Sequence, residues 1–177
     1  MMQEAEVSLR VALYYIQHKL TNEDVTVSID GAHIKTGEKI HFDIWSFLSD
    51  NGCKKIEGDS DRWQGKYQVF CCSEHIIITS EAGIGDVNVQ LLDGKKLYVE
   101  SKKGKENKSG QEYPLMREAI GQLMTGRELT KDIIPAVAVP YSDKTYELAT
   151  RWCEYSQIKK IGIRFILVKA DGDIVMI

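Results

Sequence analysis

The sequence predicts an α/β domain, a mixed central β-sheet flanked by helices, on three observations. The N-terminal stretch carries apolar residues at helical spacing, the middle is a series of apolar β-branched runs divided by turn residues, and the last third alternates helical and strand-like segments. A length of 177 residues with 43% hydrophobic residues suits one domain with a sizeable core, so 1–177 is read as a single unit.

Residues 3–20 place Glu6, Leu9, Leu13, Ile16 and Leu20 on one stripe at spacings of three and four, the pattern of an amphipathic helix ended by Thr21 and Asn22. From Val25 to His41 polar and apolar residues alternate around Asp30-Gly31 and Thr36-Gly37, which reads as short strands or a hairpin. Asp43 to Ser49 is a short helix stopped by Asn51-Gly52, and the polar, charged residues 53–66 read as an exposed loop. From Tyr67 the runs YQVFCC, HIIITS, DVNVQLL and KLYVES predict an antiparallel meander with turns at Ser73-Glu74, Gly83 and Asp93-Gly94. The charged segment 104–112 is a loop, and Pro114 opens a helix that Gly126 closes. IIPAVAVP is a buried strand. A helix from Asp143 to Ile158 follows, with Ser142 as N-cap and Leu148, Trp152 and Tyr155 on one face. Arg164 to Lys169 and Asp173 to Ile177 are strands around a DGD turn.

Composition narrows the function. The chain has 23 Lys and Arg against 26 Asp and Glu, a net charge of −3, so contact with nucleic acid must come from local basic clusters. Cys53, Cys71, Cys72 and Cys153 form no CxxC pair, and His18, His33, His41 and His75 fall in no ligand pattern, which argues against structural zinc. The first twenty residues do not read as a signal peptide, and no apolar run is long enough to span a bilayer. A cytoplasmic protein without membrane contact is expected. Glycine-rich phosphate loops are absent.

The chemistry lies in GIGDVNVQLLDGKKLYVESKKG. Asp86 opens one strand, and Glu100 and Lys102, two apart, share a face of the next. A pair of carboxylates beside a lysine is what hard-cation phosphodiester chemistry requires. Register decides whether they meet. A two-residue loop, Asp93-Gly94, turns Glu100 to the opposite face from Asp86. A three-residue loop, Leu92-Asp93-Gly94 with Gly94 left-handed, sets Asp86 opposite Glu100, with Asn88, Tyr98 and Lys102 on their face and Val87, Val89, Leu91 and Val99 on the other. That second register separates polar from apolar side chains cleanly.

In these residues and in the order of elements around them, the sequence over roughly 76–177 resembles the PD-(D/E)XK nuclease superfamily, the restriction-endonuclease-like fold. The resemblance implies a restriction-endonuclease-like core and an Mg²⁺-dependent endonuclease, with Mn²⁺ as substitute. It further implies Asp86 and Glu100, with the backbone carbonyl of Ser101, as metal ligands, and Lys102 beside the attacking water. REAIGQL resembles the helix that in several branches brings a Gln to the site, here Gln122, and a Glu on the first helix is a frequent family contribution, for which Glu6 is the candidate. Gly85 stands where the family often has proline. The expected substrate is nucleic acid, DNA before RNA, with 67–177 as the core bearing the motif and 21–66 as a substrate-recognition insertion. A homodimer would suit double-strand cleavage, although no residue demands one.

Quieter readings stand beside these. Glu100 and Lys102 could be a solvated strand face, Gln122 a helix-surface residue, and Glu118 a partner of Arg117 or a lysine in solvent. Lys102, Lys103, Lys105 and Lys108 could track a phosphate backbone or form a solvated charge run. Arg62, Trp63, Lys66 and Tyr67 mix basic and aromatic groups, with Trp63 read as core. The rivals to a nuclease are a non-catalytic nucleic-acid-binding or assembly module, and an unrelated α/β protein in which the motif is coincidental.

Overall fold

The computed structural model describes residues 1–104 and 112–177. Most of the loop expected over 104–112, with Lys105 and Lys108, lies outside the described residues. The described chain is a mixed α/β structure whose large sheet has nine strands and is flanked by helices. In chain order the elements are α1 (Glu4–Gln17), β1 (Val25–Ser28), α2 (Gly31–Ile34), the two-residue strands β2 (Lys35–Thr36) and β3 (Lys39–Ile40), α3 (Ile44–Asp50), β4 (Cys53–Glu57), β5 (Gly65–Val69), β6 (His75–Thr79), β7 (Val87–Gln90) and β8 (Lys96–Ser101). After them come α4 (Glu112–Gly126), β9 (Ile133–Pro140), α5 (Asp143–Cys153), α6 (Ser156–Ile161), β10 (Arg164–Val168) and β11 (Ile174–Met176).

The sheet runs β11-β10-β9-β8-β7-β1-β6-β5-β4, with β1 parallel to β6 and β9 parallel to both neighbours. β1 lies between β6 and β7, so the expected meander is two hairpins, β5-β6 and β7-β8, separated by an early strand. Apolar runs mark strands but not which strand sits beside which, and the short VTVS of β1 competes well for that central place because Val25 and Val27 are fully buried. Residues 53–57 are a strand and not loop: β4 ends the sheet, and an edge strand can present Lys54, Ile56 and Glu57 to solvent while Cys53 packs inward. Asp30-Gly31 is a helix start and not a turn, because the Asp30 carboxylate accepts from the Ala32 N–H. The long helix expected over 143–158 breaks at Glu154, and Tyr155 becomes the exposed N-cap of α6.

Two cores cover the two faces of the sheet. On one, α1 lays Leu9, Ala12, Leu13 and Ile16 over Val87, Val89, Leu97, Val99 and Ala136. A fully buried Leu or Ile of this kind contributes about 1.5–3 kcal/mol. On the other, Met116, Ala119 and Leu123 of α4 and Leu148 and Trp152 of α5 pack on Tyr98, Val137, Val139 and Phe165. Alternation along β8 therefore sends Leu97 and Val99 toward α1 and Tyr98 toward α4. Ser142 and Thr145 form a capping box that starts α5. Among the described residues no helix is long and apolar enough to cross a membrane.

Candidate active site

The β7-β8 ladder pairs Val87 with Val99, Asn88 with Tyr98, Val89 with Leu97 and Gln90 with Lys96. Its loop closes by Leu91 N–H to Lys95 O at 2.8 Å, with Gly94 left-handed at φ 83°. This is the three-residue loop, so Asp86 and Glu100 follow the Val87-Val99 pair at the same end of the hairpin. Asp86 is pinned from several sides. Its N–H donates to Val99 O, its carbonyl accepts from Ser28 N–H, and its Oδ2 accepts from Ser101 N–H at 2.6 Å. The turn before it requires glycine: Gly85 has φ 77°, and a Cβ there would lie 2.4 Å from Tyr98 Cε2.

Glu100 and Lys102 are both buried, and Lys102 N–H is fixed to Ala138 O of β9 at 2.8 Å. Lys102 Nζ lies 3.6 Å from Glu4 Oε1 and 3.3 Å from Glu118 Oε1. Glu118 is thus a neighbour of the site lysine as well as a surface residue. Glu4, in the first turn of α1, meets His33 Nδ1 of α2 through the same Oε1, at 3.6 Å. The helix approaches β8 closely because small side chains face each other, Ser8 Oγ donating to Ser101 Oγ at 2.9 Å.

Glu4, Asp86 and Glu100 line a cleft of about 580 Å³, with Gln122 of α4 on one wall and His33 and Glu81 on the other. The electrostatics are those of crowded carboxylates. Burial, then the neighbouring Glu100, pushes Asp86 up to about 7, against the Ser101 N–H and Lys102. Burial also raises Glu100, opposed by a hydrogen bond from the Tyr98 hydroxyl and by Lys102. Tyr98 itself is pushed up to about 12, mainly by burial and by Glu100, with the Arg127 guanidinium 5.0 Å over its ring. Four carboxylates, Glu4, Asp86, Glu100 and Glu118, therefore share one buried ammonium, and the three at the cleft are hard oxygen donors of the kind a divalent cation takes. Among the described residues no three His, Cys, Asp or Glu side chains are already arranged to hold a metal ion.

Of the residues singled out in the sequence, Asp86, Glu100 and Gln122 line the cleft, Ser101 binds Asp86, and Lys102 lies behind Glu4. Glu6 is not brought to the cluster. It pairs with Arg10 one turn along α1, Nε to Oε1 at 3.0 Å, and Glu4 occupies the place expected of it. The stripe from Glu6 to Leu20 marks one border of a wider buried face that also holds Ala5, Ser8, Ala12 and Tyr15, and Glu4 heads the Ser8 row. Tyr98, expected on the face of Asp86 and Glu100, lines the cleft, whereas His33 was missed as a site residue. His33 reaches the cleft only because α2 replaces the expected strand. The chain matches no protein-family model, no curated protein and no solved structure.

Proposed function

We propose that the protein is a metal-dependent nuclease, hydrolysing phosphodiester bonds of nucleic acid, with a restriction-endonuclease-like core. One observation carries the reading: the β7-β8 register brings Asp86 and Glu100 to one end of a hairpin, where Glu4 joins them at an open cleft backed by Lys102. Asp86 and Glu100, with the Ser101 carbonyl, would hold Mg²⁺ or Mn²⁺, and Glu4 stands where it can add an oxygen. When bound, the ion supplies charge compensation at the phosphate and acidifies water. The Ser101 N–H fixes one oxygen of Asp86, and the Tyr98 hydroxyl orients Glu100. Lys102 would release Glu4 and Glu118 to offset charge on the attacked phosphate. Gln122, on the opposite wall, would position substrate.

A second reading, a nucleic-acid-binding module without turnover, draws on the engagement of Lys102 by Glu4 and Glu118. The two part on one experiment. Purified protein is incubated with supercoiled plasmid and labelled single strands in Mg²⁺, Mn²⁺ or EDTA, beside Glu100→Ala. Metal-dependent cleavage lost in the variant supports the hydrolase. Binding with no cleavage in either metal supports the module.

A further inference from the structure

Helix α4 separates the acidic cleft from a second groove. Gln122 and Thr125 open on the cleft, whereas Tyr113, Arg117 and Gly121 open on a groove of about 410 Å³ completed by Arg151 and Trp152 of α5 and by Tyr155, the N-cap of α6. Gly121 and Gln122 are consecutive, about 100° apart around the helix, so the ridge between the two is one helix wide.

The groove reverses the sign of its surroundings. The chain is acidic overall, yet the groove lining has two arginines and no carboxylate. Arg117 lies 5.3 Å over the Tyr113 ring and forms no ion pair among the described residues, while Arg151 reaches Glu147 at the rim, at 3.8 Å. Tyr113 and Tyr155 are 39% and 44% exposed, and the buried Trp152 braces Tyr113 edge-on, with ring centroids 5.3 Å apart. The ridge is notched at Gly121, where an added Cβ would meet nothing within 4 Å. Packing does not require glycine there, although glycine in a helix costs about 0.5–1 kcal/mol relative to alanine.

We infer that this groove binds single-stranded nucleic acid, whose backbone crosses α4 at Gly121 to reach the carboxylate cleft. Arginines pair with phosphates, and the exposed Tyr155 ring offers a face on which a base stacks. A duplex keeps its base faces stacked inside and gains nothing from such rings, so the chemistry selects unpaired strands. The direction of the path rests on the hydrolase reading, but the groove is testable without it.

The test is anisotropy of a labelled 20-nucleotide probe in EDTA, as single-stranded DNA, single-stranded RNA and blunt duplex. Wild type is compared with Gly121→Leu, Arg117→Glu and Tyr155→Ala, each checked for wild-type circular dichroism and melting. The expected result is binding of one or both single strands ahead of duplex, weakened about fivefold or more in each variant. Wild-type affinity in all three variants, preference for duplex, or no binding by wild type overturns the inference, the last pointing to a protein as occupant. Cleavage by wild type is scored separately. Binding without cleavage sinks the hydrolase and keeps the groove, and cleavage with unaltered variant affinities does the reverse.

Discussion

Asp86 stands one residue before Val87 and Glu100 one residue after its partner Val99, so their carboxylates leave the β7-β8 hairpin at the same end and repel each other. The loop at Gly94, at the far end of the hairpin, sets this juxtaposition. A one-residue change in that loop would turn Glu100 toward α1 and dissolve the site.

The raised pKa of Asp86 makes stability depend on pH with a definite sign. Its carboxyl holds a proton up to about 7 in the fold but only to the ordinary carboxylate range when unfolded. Between those values the native state binds more protons, so in EDTA stability falls as pH rises from about 4 to about 7 and then levels off. Asp86→Asn should remove that slope. At pH 8 the variant is expected to be more stable than wild type by up to a few kcal/mol, at about 1.4 kcal/mol per pKa unit, and at pH 4 to gain almost nothing. Urea melts across pH check this, and parallel curves for the two proteins would refute it.

How far this site was legible follows from range. Asp86, Glu100 and Lys102 sit on adjacent strands joined by a short turn, and strand parity with a glycine at the turn is enough to bring them together. Glu4 reaches the cleft through packing of α1 against strands far along the chain, and His33 through packing of α2 against α1. Helical periodicity gave the existence of α1 but centred its buried face one row away, on Glu6. The insertion of β1 between β6 and β7 escaped for the same reason, since a four-residue strand carries no signal of its neighbours. The extension of β4 escaped because edge strands tolerate charge.

Lys102 neutralises several acids at once. Its side chain is 7% exposed and contacts Glu4 and Glu118, with Asp86 and Glu100 within electrostatic reach. Lys102→Met keeps the aliphatic stem and removes the charge. Breaking a buried pair costs about 3–5 kcal/mol, and the exposure of Glu118 puts this case toward the lower end. The loss should be largest at pH 8 and shrink near pH 5, below the value of about 7 at which Asp86 takes up its proton. Equal loss at both values would mean that packing and not charge is what Lys102 supplies.

Gly85 tests the geometry behind Asp86. Gly85→Ala forces a side chain into a left-handed backbone and into the Tyr98 ring at 2.4 Å. Strain alone costs on the order of 1–3 kcal/mol, and displacement of Tyr98 removes the hydroxyl bonded to Glu100. A lower melting temperature is expected, with changed near-ultraviolet dichroism from Tyr98. Gly83→Ala, left-handed too but with open space at its Cβ, should cost less. If both variants melt alike, the contact with Tyr98 is not what fixes the turn.

Glu4 and Glu6, two residues apart on α1, give the sharpest contrast. Glu4 faces the cleft and shares Lys102 with the site, whereas Glu6 is held by Arg10. At pH 7.5, Mn²⁺ at a hundred times its dissociation constant should stabilise wild type by about 2.7 kcal/mol, reversibly with EDTA. At pH 5 the gain should shrink, because protons compete for Asp86 and Glu100. Glu4→Gln should weaken both this stabilisation and metal-dependent cleavage about tenfold or more, while Glu6→Gln loses only a half-buried ion pair between neighbouring turns of one helix, worth about 1 kcal/mol in stability. Thermal shift with Mn²⁺ and cleavage assays on the two variants decide the matter. Loss in Glu6→Gln with Glu4→Gln intact would return the first-helix acid to Glu6.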